Sequence, residues 1–457
     1  MAARGLGIAS IFTTLLACGS ALLACGDPGP ESLVIVSLDT VRRDHLSTYG
    51  YARKTSPHLD ALAEESLVFE GAFAQHVNTH PSHASMFTGL YPNVHGSIYN
   101  GMRLPAGRAT LAQLLVGAGF RTAAFVSGAT MVAQTGLDRG FEVYDDSLGG
   151  ARRDGGATVA LALDWLGQRI PGERFFLFVH LFDAHGPYTF EDPPRFRSTG
   201  PGPELVRIPA YQRLRDESGQ LRVDLNEYVD RYDSLIHYSD DQLGKLLAAL
   251  DLDTSVVVVL SDHGETLGER HHSLDHGGQT TDEQIRIPLI MSVPRQRGRR
   301  LADLVETVDL VPTLLELLGV PAPEALEVQG RSLVPLILGP EVESAPERAV
   351  FSSALALAPR HADRGYRFEL GGQIHSLRTE RWKLVRYPGT DGEVLELYDL
   401  ARDPGELENR ADSEPALRDE YLGRLERWMS QGPLAHPPAE ISPELRSYLL
   451  QLGYGEP

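Results

Sequence analysis

Cysteine is nearly absent from this chain of 457 residues, and its two examples, Cys18 and Cys25, both lie close to the amino terminus. A disulfide framework is thereby excluded for everything downstream, and stability has to come from a buried core. Basic charge is also scarce, with 42 Lys and Arg against 62 Asp and Glu and a formal net charge of -20. An acidic surface of that size disfavours nucleic acid as a partner and favours solubility. The sequence also lacks internal repeats and long low-complexity tracts, which leaves ordinary globular architectures.

What is present begins with a leader. Residues 1–24 carry a single basic residue, Arg4, then an apolar run over residues 6–23 and small residues before Cys25. This is the pattern of a secretory signal. Leu22-Leu23-Ala24-Cys25 resembles a bacterial lipobox, so Cys25 is expected to become a lipidated first residue that anchors the chain to a membrane. Leu15-Leu16-Ala17-Cys18 is a weaker second copy inside the apolar run. The expected product is an exported bacterial lipoprotein, facing the periplasm or displayed on the cell surface. The alternative is an uncleaved anchor, since the run is near the lower length limit for a span.

Residues 33–38 form a continuous apolar run that ends in Asp39, the signature of a buried parallel strand with a carboxylate at its carboxyl end. Runs of the same type occupy 122–126, 175–179, 256–260 and 289–293, and helical periodicity fills 110–118, 159–169, 228–250 and 311–318. This alternation predicts an α/β/α sandwich around a mostly parallel central sheet. From residue 345 the character changes to alternating strands over 375–387 and 393–400, with a turn at Asp403-Pro404-Gly405-Glu406 and a helix near 415–430. The expected division is signal 1–24, tether 25–31, catalytic domain 32–344, and a small C-terminal α+β subdomain with an antiparallel sheet over 345–457.

Ligands of such folds gather at the carboxyl ends of strands. Three strands there end in chemically useful groups: Asp39-Thr40, His180 with Asp183-Ala184-His185-Gly186-Pro187, and Asp262-His263-Gly264-Glu265. A fourth stretch, Thr79-His80-Pro81-Ser82-His83-Ala84-Ser85-Met86-Phe87-Thr88-Gly89, predicts a short helix with Pro81 in its first turn and Gly89 at its end. Thr79 then lies at the positive end of the helix, where a hydroxyl is more easily deprotonated and an anionic ester can be held. Any one strand-end acid reads first as a helix cap; the joint pattern is what points to a site.

That joint pattern resembles the sulfatase family within the alkaline phosphatase superfamily, whose nucleophile segment runs Cys or Ser, any residue, Pro-Ser-Arg and then Thr-Gly. The likeness extends to Leu397-Tyr398-Asp399-Leu400 near the far end. Two departures stand out: Thr79 replaces the residue that is oxidised to formylglycine, and His83 replaces the arginine that steadies the aldehyde. Relatives such as nucleotide pyrophosphatases use threonine at this point. The resemblance implies that Asp39, Thr79, Asp262 and His263 hold a divalent metal ion. Because Thr40 breaks the usual Asp-Asp pair and an imidazole is gained, zinc or manganese is favoured over calcium or magnesium.

By the same resemblance Thr79 is the nucleophile, and Asn100 donates to the transferred group or, alternatively, only shapes a turn with Gly101. His185 and His276 either contact the leaving oxygen or join Asp183 in a second metal site. His83 either faces the transferred group or supports the turn of Thr79. His180 reads as a core histidine, and Asp233 and His237 as a solvated helix face. His375 and Arg378 are candidate substrate contacts. The lysines that cradle sulfate in the family have no counterpart at Phe125-Val126-Ser127-Gly128 or at Leu274-Asp275-His276-Gly277.

The expected activity is metal-dependent cleavage of anionic esters, with phosphoryl transfer from phosphodiesters, phosphomonoesters or phosphonate esters favoured. A formylglycine sulfate collapses by expelling sulfate, whereas a threonine sulfate must wait for water. The alternatives are an arylsulfatase-like sulfuric ester hydrolase using the same site, and an inactive surface lipoprotein that binds sulfated or phosphorylated polymers.

Overall fold

The computed structural model describes residues 29–189, 194–216, 218–269, 273–339, 348–356, 367–432 and 441–454. The leader, Cys25, most of the tether, His271, His272 and the expected domain boundary at 344/345 lie outside these residues.

A nine-stranded mixed sheet organises the larger part of the chain. Its main strands are β1 (Ser32–Leu38), β2 (Leu67–Phe73), β3 (Arg121–Phe125), β4 (Val143–Asp145), β5 (Phe175–Leu181), β6 (Ser255–Leu260), β7 (Leu289–Ser292) and β8 (Arg299–Glu306). They lie in the order β8-β2-β7-β6-β1-β5-β3-β4, and a short strand, Arg286–Ile287, pairs with β2. The centre, β6-β1-β5-β3, is parallel.

The apolar runs are continuous because both faces of the sheet are covered. Leu33 and Ile35 of β1, with Val256 and Val258 of β6, enter one core beside Ala84, Met86, Phe87, Leu111 and Leu314. Val34, Val36, Val257 and Val259 enter the opposite core beside Leu59, Val159, Tyr232 and Leu235. The helices on the first face are α2 (Thr79–Thr88), α3 (Leu111–Gly117) and α6 (Leu310–Leu317); on the second lie α1 (Pro57–Glu64), α4 (Gly155–Gly167) and α5 (Leu225–Leu247).

The strand near 289–293 departs from expectation, since β7 runs antiparallel to both β6 and β2. The intervening chain leaves the carboxyl end of β6 and, among its described residues, offers a single helical turn, Asp282–Ile285. Without a crossover helix to carry it to the other end of the sheet, the chain must run back from where it is.

The smaller sheet is antiparallel, in the order β9 (Val350–Leu355), β10 (Gln373–Arg378), β11 (Trp382–Tyr387) and β12 (Val394–Asp399). Helix α7 (Pro415–Met429) packs on it through Tyr421, Leu425 and Trp428. The last helix, α8 (Pro443–Gln451), does not join this lobe. Its Leu445 and Leu449, with Leu452, pack on Ala129 and Phe182 of the larger part, which returns the end of the chain to the carboxyl edge of the main sheet.

Candidate active site

Four segments converge beyond the carboxyl ends of β1, β5 and β6. Every residue of α2 is buried, its amino end begins at Thr79, and Gly89 closes it in the left-handed conformation at φ 68°. Ser82 Oγ donates to the Asp262 carbonyl (2.7 Å), which fastens the helix to the end of β6. Thr40 adopts φ 58°, unusual for a side chain branched at Cβ. This turn lets its amide donate to Asp262 Oδ1 (3.2 Å), while its hydroxyl donates to the Asp39 carbonyl (2.7 Å) and is spent there.

Ligand atoms of Asp39, Asp262 and His263 lie within 4.8 Å of one another, and among the described residues this is the one group of His, Cys, Asp or Glu arranged to hold a cation. His263 Nδ1–H donates to the Gly264 carbonyl (2.9 Å), which fixes the tautomer and leaves Nε2 as a lone-pair donor. Asp39 Oδ1, Asp262 Oδ2, His263 Nε2 and Thr79 Oγ1 are all buried without a hydrogen-bond partner. Orphaned polar atoms are costly in a protein interior. That these four coincide with the four expected ligands shows that the donor set fits a divalent cation. The protein by itself does not compensate the charge: burial pushes Asp39 up to about 7, and burial and the neighbouring Asp39 raise Asp262.

His180 is not a bystander in the core. Its Nε2–H donates to Asp39 Oδ2 (3.0 Å), so it orients a ligand carboxylate. Both ring nitrogens of His83 are engaged: Nδ1–H donates to the Thr79 carbonyl (2.7 Å), and Nε2 accepts from Ser37 Oγ (2.8 Å). Of the two roles open to it, the structure supports bracing the first turn of α2. Asn100 does two things at once. Its Oδ1 accepts from the His80 amide (2.8 Å), capping α2, and its buried Nδ2 has no hydrogen-bond partner.

The second metal site is not assembled. Asp183 Oδ1 accepts from the Gly155 amide (2.9 Å), and Ser239 donates to its Oδ2 (3.4 Å), so it caps α4. His185 and His276 do come together, with ring centroids 5.0 Å apart. His276 also lies 4.8 Å from the His263 ring and within 3.2 Å of Glu265, whose carboxyl is pushed up by burial to about 8. Burial lowers both histidines, His185 with a further contribution from His276.

Three further expectations are corrected. Asp233 is fully buried and binds His45 (2.7 Å), Tyr51 (2.8 Å) and Arg53 (2.7 Å), and His237 is also buried; that face of α5 packs on loops and not on solvent. Arg378 is engaged by Asp282 (3.1 Å) and lies over the Phe73 ring. His375 is buried against Trp428 and bonded to Ser353 (3.0 Å).

Sequence reasoning missed one residue of the site. Tyr454 Oη lies 2.8 Å from both His185 Nε2 and His276 Nε2; burial, and then the charge of Asp39, push its phenol well above the usual range, and the Thr79 hydroxyl acts the other way. A signal for the helix that carries it was present, since Ser442-Pro443-Glu444 is a good helix start and Ser442 does cap α8. Nothing in the residue pattern points Tyr454 at the site.

With this geometry in hand, the comparison with known proteins is direct. Residues 31–320 match the family model described as Sulfatase, and residues 276–426 match that described as N-sulphoglucosamine sulphohydrolase, C-terminal. The chain belongs to the sulfatase family. It is a sulfatase-like ester hydrolase. The ulvan-active sulfatase of Formosa agariphila is 25% identical over 416 residues, covering 84% of this chain and 77% of the relative. The Delta 4,5-hexuronate-2-O-sulfatase of Bacteroides thetaiotaomicron is 25% identical over 468 residues, covering 90% and 92%. Among solved structures, the phosphonate monoester hydrolase of Agrobacterium radiobacter superposes with a TM-score of 0.71 at 22% identity, covering 90% of this chain and all of the other; that likeness is one of fold. No helix among the described residues is long and apolar enough to cross a membrane.

Proposed function

We propose that this sulfatase-family hydrolase or transferase uses the unmodified Thr79 hydroxyl as its nucleophile and acts by preference on phosphoryl or phosphonyl esters. The observation that carries the reading is the buried, unpartnered Thr79 Oγ1 beside the unpartnered donor atoms of Asp39, Asp262 and His263. Asp39, Asp262 and His263 would hold a divalent cation, zinc or manganese by the donor set, which would supply positive charge that favours the Thr79 alkoxide and offsets charge on the transferred group. Thr79 Oγ attacks phosphorus in line, the bond to the ester oxygen breaks, and a phosphothreonine remains. Water or an acceptor alcohol then attacks phosphorus and restores Thr79. The spare Nδ2 hydrogens of Asn100 face the developing negative charge, and the amino end of α2 adds the positive end of its dipole. His83 and His180 hold the Thr79 turn and the Asp39 carboxylate in place.

Sulfate ester hydrolysis at the same site is the second reading, favoured by the names of the relatives in Formosa agariphila and Bacteroides thetaiotaomicron. The missing sulfate lysines weigh against it. The described lysines lie elsewhere: Lys54 pairs with Asp60, Lys245 with Gln242, and Lys383 with Asp282 and Glu406. A panel of nitrophenyl phosphate, phosphodiester, phosphonate and sulfate esters, run on metal-reconstituted protein, separates the two. Turnover confined to the sulfate ester would sink the phosphoryl preference. The expected setting is an exported lipoprotein held at a membrane through Cys25, checked by mass spectrometry of the mature amino terminus.

A further inference from the structure

The carboxyl end of the chain closes over the catalytic residues. Helix α8 is fastened to the larger part by the small core of Leu445, Leu449 and Leu452 against Ala129 and Phe182, and by Ser442 Oγ donating to Gln134 (3.0 Å). Gly453 then takes φ 91°, and a Cβ there would sit 2.3 Å from the Tyr211 ring, so only glycine lets the chain turn this closely. The turn carries Tyr454 inward to the two histidines.

The hydrogen bonds there fix where each hydrogen lies. His185 Nδ1–H donates to the Gly186 carbonyl (2.7 Å), so in the neutral ring Nε2 is an acceptor, and the hydrogen it receives is that of Tyr454 Oη. A phenol has one hydrogen, so at the other contact His276 Nε2–H must donate to the Tyr454 oxygen. His185 thus has no hydrogen of its own to offer a departing oxygen at Nε2. Tyr454 has one, on an oxygen held against His276, whose ring lies 4.8 Å from that of His263.

The same arm shapes the space next to it. A cavity of about 340 Å³ lies between Tyr99 and Asn100 on one side and Ile441, Arg446, Leu449 and Leu450 of the arm on the other, with Tyr454 at its wall. Leu450 is 58% exposed, so the cavity has an apolar rim open to solvent.

We infer that the carboxyl-terminal arm is part of the active site: Tyr454 is a catalytic residue that donates its hydroxyl hydrogen to the leaving ester oxygen, and the arm's apolar wall receives the organic group of a small, largely apolar ester. The donation is a hydrogen bond, made by rotating the hydroxyl from His185 Nε2 towards the ester oxygen, with the proton staying on the phenol. This rests on the proposed function in that it takes Thr79 as the attacking group. The cavity accepts a group the size of one or two rings, not a polymer segment.

The test is a kinetic series on the full-length, metal-loaded enzyme with aryl phosphonate esters graded from nitrophenyl to unsubstituted phenyl. Y454F should lower kcat modestly for the nitrophenyl ester and on the order of 100-fold for the phenyl ester, because a donor matters more as the leaving group worsens. KM, bound metal and Tm should stay close to the parent values, which a structural defect would not allow. L450D should raise KM for these esters about tenfold. A Y454F enzyme with parental or higher kcat/KM across the series would make the tyrosine a mere occupant of the site and overturn the inference, leaving Thr79 chemistry intact. A parent enzyme that cleaves none of the esters would bring down both, and an L450D enzyme with unchanged KM would remove the arm from the substrate cavity.

Discussion

Two buried acidic clusters lie on either side of the segment that follows β6, and they are built on opposite terms. In the first, Asp282 and Glu406 are joined by Lys383, whose Nζ reaches Asp282 Oδ1 (3.0 Å) and Glu406 Oε1 (2.9 Å), while Arg378 takes Asp282 Oδ2. In the second, neither lysine nor arginine among the described residues pairs with Asp39 or Asp262, which are met by histidine and threonine side chains and by the Thr40 and His263 amides. The ionisation follows the partners. Although burial opposes it, Lys383 and then Arg378 hold Asp282 well below the usual carboxylate range, whereas burial pushes Asp39 up to about 7. One cluster is an internally compensated staple between the small sheet and the body. The other is a deficit of positive charge whose donor set fits a divalent cation.

The largest effect should come from the uncompensated side. Thr79→Ala is expected to reduce kcat at least 1,000-fold with a reactive aryl ester, roughly 4 kcal/mol of barrier at about 1.4 kcal/mol per tenfold. Thr79→Ser should retain measurable turnover. Steady-state kinetics with matched metal content checks both; near-parental activity in the alanine enzyme would remove the nucleophile from the scheme.

Breaking the compensated cluster should act on stability. Lys383→Met takes the lysine away from both Asp282 and Glu406, and removing one member of a buried pair costs about 3–5 kcal/mol. Urea unfolding reads this directly. The pH dependence sharpens it. Asp282 has a depressed folded-state pKa, so its stabilisation is fully present above the unfolded value of 3.8 and is lost as pH falls below it towards the folded one. That acid limb should shrink in the Lys383→Met protein.

Cation binding should then separate the clusters in a single experiment. A ligand at 100 times its Kd adds about 2.7 kcal/mol of apparent stability. Zinc or manganese should therefore raise Tm in the parent and in Lys383→Met alike, and EDTA should reverse it. No such rise is expected in Asp262→Asn, where the mid-site carboxylate is gone.

The contrast also explains what could be read in advance. Asp39 and Asp262 were legible because each follows an unbroken run of apolar residues, and such runs mark central strands whose carboxyl ends host ligands. Asp183 carried the same signal after β5 and proved to cap α4, since pattern alone does not say which way a carboxylate turns. β2 and β8 escaped notice because Glu70, Arg300 and Asp303 interrupt their apolar pattern near the sheet's edge. Lys383 looked like one more residue of an alternating strand until the fold brought Asp282 to it from 101 positions away. Tyr454 was the least legible, because its place depends on a short helix crossing from one lobe to the other and on a left-handed glycine before it.

The smallest effect, and the most telling, should be a gain. With no cation bound, Asp39 has a folded-state pKa raised from 3.8 to about 7, so between those values the folded protein binds more protons than the unfolded chain. Stability must therefore fall as pH rises across that interval, the reverse of the Asp282 limb. Asp39→Asn removes the carboxylate and its desolvation penalty while keeping the shape of the side chain. In EDTA the variant should be flatter than the parent between pH 5 and 8 and more stable than it at pH 8. In excess zinc or manganese the order should invert, because the parent gains a ligand that the variant has lost. Thermal melts at two pH values, with and without metal, give the four numbers needed. A variant less stable than the parent in EDTA at pH 8 would mean that Asp39 is compensated within the protein, and the two clusters would then be alike.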